Sequence, residues 1–288
     1  MKRLFTLLIV TITLTACEKP LTTETNQGPT GNLVLSFNTP WSGTTRGATG
    51  NLSDHFEKLA VMLFNAETGE RALSTVKTQT VTDESFGTLT LSATPGNYSL
   101  VAVGHSSVKT PTLKSPVMVQ FTASDGEKLT DTFSFQGNIE VTETPTTRSY
   151  TLDRVVAMVK FVFTDDIPGT VSHVKFDYTG GSANFNPTTK EGTTKSTQSE
   201  NRPYTGITYQ VYTFPYLARS GLLKIKVSAL DDTGVTLNQK TLDSVPVTRN
   251  RITVYTGSLM DGNPGVITTE DFGFTVNPDW EGTDTIRF

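Results

Sequence analysis

The feature that most limits what this chain can fold into is a recurring period of two. Short runs rich in Val, Thr, Phe and Tyr alternate apolar and polar side chains, and they stop at Gly, Pro, Asn or Asp about every 8 to 15 residues. Successive side chains of a strand point to opposite faces, so each such run makes a half-buried strand. Leu33-Val34-Leu35-Ser36-Phe37 is one, ending at Asn38-Thr39-Pro40. Lys58-Leu59-Ala60-Val61-Met62-Leu63-Phe64 is nearly continuous in apolar residues and is expected at the centre of a sheet. Gly87 to Ala93 alternates and turns at Pro95-Gly96-Asn97 into a buried strand, Tyr98 to Val103. Val117 to Phe121 and Thr130 to Phe135 complete the set. This spacing of strands and turns is that of a Greek-key β-sandwich.

After the polar, proline-punctuated stretch Glu143-Thr144-Pro145-Thr146-Thr147 the pattern restarts. Val155 to Phe163 is the most apolar strand of the second half. Val174 to Tyr178, Ile207 to Phe214, Leu222 to Leu230, Ile252 to Gly257 and Phe272 to Val276 follow, with a hairpin turn at Asp231-Asp232-Thr233-Gly234. Thr188 to Asn201, a Thr/Ser/Glu/Lys stretch, is expected to be an exposed loop. The chain therefore reads as all-β, with two tandem sandwiches over residues 32–144 and 145–288. Composition agrees: Thr is roughly one residue in six and only 18% of residues are charged, which suits strands and turns better than helices.

The N-terminus sets the compartment. Lys2 and Arg3 precede an apolar run of about ten residues, Leu4 to Leu14, too short to span a bilayer. It ends in Leu14-Thr15-Ala16-Cys17, a bacterial lipobox in which Cys17 becomes the lipidated N-terminus. Residues 1–16 are then a signal peptide and 17–31 a polar tether, and loss of Lys2 and Arg3 takes the formal charge from −4 to −6. Lipid anchoring by more than one acyl chain is stable. The expected location is the outer membrane surface. The acidic balance argues against nucleic acid as a partner.

Signs of chemistry are few. Cys17 is the single cysteine, which excludes a disulfide scaffold and a Cys-based zinc site. His55, His105 and His173 are dispersed, without metal-ligand spacing. Gly104-His105-Ser106-Ser107-Val108 lacks the second glycine of a nucleophile elbow. Asp165-Asp166 and Asp231-Asp232 sit in turns without the alternating oxygen ligands of a calcium loop. No catalytic residue, metal site or cofactor is assigned, and the protein reads as a non-enzyme. Trp41 and Trp280 offer either core packing or a platform for stacking sugars. The second alternative would make the protein a monomeric glycan-binding lipoprotein.

Several segments in order carry a family resemblance: the lipobox; Phe56 to Asn65 with its Thr68-Gly69 turn; Pro95 to Val103; Leu152-Asp153-Arg154-Val155-Val156-Ala157-Met158-Val159-Lys160; Val245 to Val254; and Asp279-Trp280-Glu281-Gly282. Together they resemble the fimbrillin-like surface lipoproteins of Bacteroidales, which include stalk pilins, tip subunits and anchor subunits. The resemblance implies transthyretin-like sandwiches, no enzymatic activity, and a fimbrial subunit whose partners are other subunits joined by strand exchange, with a host or bacterial surface ligand. It implies that Leu33 to Phe37 is a strand removable by cleavage at Arg46, in Gly43-Thr44-Thr45-Arg46-Gly47, leaving a groove that a neighbour's strand fills. Anchor subunits of the family keep that strand. So short a chain, with little beyond Trp280 to act as a donor strand, leans towards an anchor or tip. Asp243-Ser244-Val245 and Asp284-Thr285-Ile286 resemble the O-glycosylation sequon of the same bacteria, making Ser244 and Thr285 candidate acceptors.

Overall fold

The computed structural model describes residues 32–40, 51–122, 129–216, 221–261 and 282–287. The first half contains β1 (Leu33–Asn38), β2 (Lys58–Asn65), β3 (Lys77–Thr80), β4 (Thr88–Leu91), β5 (Gly96–His105), β6 (Thr112–Ser115), β7 (Met118–Gln120), β8 (Thr132–Val141), β9 (Thr146–Thr151) and β10 (Asp153–Arg154). The second contains β11 (Ala157–Phe163), β12 (His173–Thr179), β13 (Asn184–Asn186), β14 (Glu191–Gly192), β15 (Thr197–Pro203), β16 (Thr208–Thr213), β17 (Leu222–Leu230), β18 (Thr236–Pro246), β19 (Arg251–Gly257) and β20 (Gly282–Arg287). Among the described residues the one helical piece is a 3-10 turn, Leu52–Asp54. The protein is all-β, as the alternation predicts.

The two halves repeat one topology. In the first, β1 lies between antiparallel β4 and parallel β9, and a second sheet runs β10-β8-β5-β2-β3. In the second, β11 lies between antiparallel β16 and parallel β19, and the second sheet runs β15-β12-β17-β18. The first strand of each half thus holds the same place in its sheet. The additions differ: β10 extends one sheet of the first half, whereas β20 extends the β11 sheet by pairing in parallel with β19.

Each half has its own apolar cluster, but the larger one reaches across. It joins Leu33, Leu35, Leu59 to Phe64 and Leu100 to Val103 of the first half with Phe185, Tyr212, Phe214 and Ile252 of the second. Every residue from Leu59 to Phe64 is buried. Both faces of β2 are therefore covered, which explains its unbroken apolar run. A four-stranded sheet, β14-β13-β7-β6, is built from both halves, with Phe185 opposite Val119.

Two expectations need correction. Residues 146–154, placed in the second sandwich by the boundary at Thr144, form β9 and β10 and pair with β1 and β8 of the first half. Residues 191–192 and 197–201, expected within a loop from Thr188 to Asn201, belong to β14 and β15. The alternation in β15 is real, but its inward residues, Gln198 and Glu200, are polar and hide the usual apolar signal. The Tyr178 hydroxyl donates to Glu200 Oε1 and Arg202 Nη2 also reaches this carboxylate, so burial leaves it partnered.

Candidate assembly site

The element that could exchange is β1. Its burial alternates strictly: Leu33, Leu35 and Phe37 face the core while Val34, Ser36 and Asn38 are partly exposed. Leu33 and Leu35 are 0% exposed and Phe37 6%. Full burial of each such side chain contributes about 1.5–3 kcal/mol. Leu33 to Ser36 pair with Leu91 to Thr88 on one side, and Leu33 to Asn38 pair with Thr146 to Thr151 on the other. Phe37 leans on Tyr150, with ring centroids 6.3 Å apart, and Tyr150 on Phe135 at 4.4 Å. Burial pushes the Tyr150 hydroxyl pKa up.

Both ends of β1 are pinned by asparagines that the sequence reading passed over. Asn32 Nδ2 donates to the carbonyls of Ala93 (2.8 Å) and Thr142 (3.1 Å), and its Oδ1 accepts from the Ala93 N–H (3.0 Å). Asn38 Oδ1 accepts from the Thr151 hydroxyl at 2.6 Å, and Asn38 Nδ2 donates to Ser149 Oγ at 3.3 Å. Backbone bonds repeat the clamp: Thr146 N–H to the Asn32 carbonyl and Leu152 N–H to the Asn38 carbonyl. An asparagine immediately before an alternating run, and another closing it, was the available signal. At the Phe37 end the backbone bond goes to the carbonyl of Gly87, whose φ of +93° suits glycine.

Of the residues singled out from sequence, Cys17, Arg46, Trp41 and Trp280 lie outside the described residues. So does Phe272 to Val276. Ser244 is exposed on β18 with φ of +60°, at the irregularity where β18 slips against β17. Thr285 pairs with Val254 within β20. The structure does not bring Ser244 and Thr285 together with β1 as one site.

The histidines stay apart from one another. His105 is fully buried, edge-on to Phe121 at 5.8 Å, and neither ring nitrogen has a hydrogen-bond partner. Burial, and then the nearby Lys58 ammonium, lower its pKa to about 4. Asp165 ties down a turn. Burial works to raise it, but bonds from the N–H groups of Leu259 and Met260 and from the Ser258 hydroxyl outweigh this and hold it low. Between the sheets of the second half is a cavity of about 120 Å³ lined by Phe161, Phe163, Val227, Leu242, Tyr255 and Leu259, with Lys240 at its margin. Among the described residues no group of three His, Cys, Asp or Glu could hold a metal ion.

The profile of a family of unknown function (DUF6562) matches residues 24–287. No curated protein matches the sequence. Among solved structures the chain is similar to a candidate adhesin from Bacteroides ovatus, with 14% identity, 73% of this chain and 81% of that one covered, and a TM-score of 0.49. It is also similar to the tip fimbrial protein Mfa3 from Porphyromonas gingivalis, with 11% identity, 80% and 95% coverage and a TM-score of 0.39. The fimbrial anchor protein Mfa2 from the same organism gives 13% identity, 73% and 82% coverage and a TM-score of 0.39.

Proposed function

For a chain that belongs to a family of unknown function (DUF6562), we propose a structural role: a subunit of a bacterial surface fimbrium, as anchor, tip or stalk pilin, joined to its neighbours by β-strand complementation and contributing to adhesion. The observation that carries this reading is the placement of β1. It is the first strand of its sheet, held on both sides by hydrogen bonds, with three apolar side chains seated in the core. Taking it away would leave a slot between β4 and β9 in which a strand of the same alternation finds both ladders and the pockets of Leu33, Leu35 and Phe37. In this reading Cys17 carries the lipid that holds the protein at the outer membrane, and Arg46 is where β1 would be severed. Ser244, exposed at a bend of β18, and Thr285 are the glycan acceptors. No catalysis and no cofactor are assigned.

The mature N-terminus tests the reading. Mass spectrometry of purified surface fibres is expected to find this protein, either starting at lipidated Cys17, which makes it an anchor with β1 in place, or at Gly47, which makes it a polymerising subunit. If the protein is never in fibres and its deletion leaves fibre number and length unchanged, the structural role is wrong.

A further inference from the structure

The repeat between the halves exposes a difference at one edge. In the second half β19 is followed outward by β20, paired in parallel from Arg251 opposite Gly282 to Thr256 opposite Arg287. In the first half β9 holds the place of β19, and among the described residues no strand lies beyond it. The groups of β9 on that side follow from alternation. Thr146 and Leu152 turn their N–H groups to β1, so the backbone groups of Thr147, Ser149 and Thr151 point away from it. Of these, the Thr147 carbonyl accepts one bond, from Arg148 Nη1 at 3.2 Å. Side chains do not cover the strand: Thr147, Arg148, Ser149 and Thr151 are exposed. A bare edge of this kind is a template for another strand.

We propose that the outer edge of β9 is a strand-addition site, and that its occupant is β20 of a second copy, which stays in its own sheet and pairs through the edge it turns away from β19. One sheet would then run β16-β11-β19-β20 in one molecule and continue β9-β1-β4 in the next. The internal repeat supports the occupant, because β20 is the strand this sequence already places at the equivalent position. Charge counts against the symmetric alternative: β9 carries one charged residue, Arg148, whereas β20 contains one of each sign, Asp284 and Arg287. Two β9 edges pairing with each other would set Arg148 beside its copy, which is unfavourable. The contact is heterologous, so it leaves a free β9 at one end and a free β20 at the other and can propagate. It goes beyond strand complementation at the β1 slot, since β1 stays where it is and nothing is cleaved.

The test uses residues 17–288 with Cys17→Ser and Arg46→Ala, which removes the lipid site and the candidate cleavage site. Sedimentation velocity over a concentration series is expected to show self-association. Ser149→Pro removes an N–H from the outer edge of β9, and Thr285→Pro removes one from the outer edge of β20, as alternation from the Thr164 N–H bond to the Gly257 carbonyl places it. Each variant alone is expected to associate about tenfold more weakly or worse. Mixed, they are expected to form pairs that grow no further, because each supplies the edge the other lacks. Amide hydrogen exchange on the parent chain carries the test if either proline variant folds poorly: the Ser149 and Thr285 N–H groups are expected to gain protection as concentration rises, and exchange independent of concentration would overturn the proposal. Association of Ser149→Pro equal to the parent would overturn the proposal. So would full dimerisation of Thr285→Pro alone, or association that appears only after β1 is cut off, which would leave the β1 slot as the sole joint.

Discussion

At the scale of single residues, His105 makes stability depend on pH in a definite direction. Its folded pKa is about 4, against 6.5 for the free side chain. The unfolded chain therefore takes up a proton that the folded protein refuses, and folding loses stability as pH falls from about 6.5 to 4. The size is about 3 kcal/mol by linkage. Denaturant melts of the parent and of His105→Leu should diverge over that window, the variant showing the shallower slope; parallel curves would mean that the imidazole is hydrated in solution. Gly104, one residue earlier, has a different constraint. A Cβ there would lie 2.5 Å from the Phe56 ring, which has no room to retreat among buried neighbours. Gly104→Ala is expected to cost about 1–3 kcal/mol, read as a lower urea midpoint at unchanged slope. Tyr178→Phe removes the hydroxyl donor to buried Glu200, and calorimetry should show a loss of about 1–3 kcal/mol.

At the scale of elements, β1 is the strand whose packing matters most to the proposed role. Leu35 is fully buried between two ladders, so Leu35→Ala is expected to lose about 2–5 kcal/mol in thermal or chemical melts. Most elements were legible because their inward residues are apolar. The runs Leu33 to Phe37, Leu59 to Phe64 and Leu222 to Leu230 appear as β1, β2 and β17, and the Asp231 to Gly234 turn joins β17 to β18 as its residues suggest. What stayed hidden has physical reasons. β15 faces inward with Gln198 and Glu200, whose burial depends on Tyr178 of β12 as well as on Arg202 of the same strand, so its alternation carries no apolar signal. β9 is short, threonine-rich and follows a proline, so it reads as linker. Only its parallel pairing with β1, more than a hundred residues away, makes it a strand. The clamp by Asn32 and Asn38 is long-range for the same reason.

At the scale of the whole molecule, the sheet β14-β13-β7-β6 and the shared apolar cluster tie the two halves together. Phe185 packs on Phe214 at 4.5 Å and Phe214 on Phe121 at 5.6 Å, while Arg154 binds Asp131 through two bonds and Asn250 through a third. The halves should therefore unfold as one unit, with a single calorimetric transition whose van't Hoff and calorimetric enthalpies agree. Phe185→Ala is expected to lower that transition by about 3–5 kcal/mol of stability and to broaden or split it. Two well-separated transitions in the unaltered chain would mean that the shared cluster does not couple the halves.

The position of β1 also determines how the protein would bear force. A tether attached ahead of Leu33 pulls β1 along its own axis, while its neighbours β4 and β9 belong to the body that resists. The ladders on both sides are then loaded in shear, all bonds at once, rather than peeled from one end, and Asn32 and Asn38 brace the two ends of the loaded strand. An anchor that kept β1 would thus place a strand loaded in shear on both sides where the pull arrives.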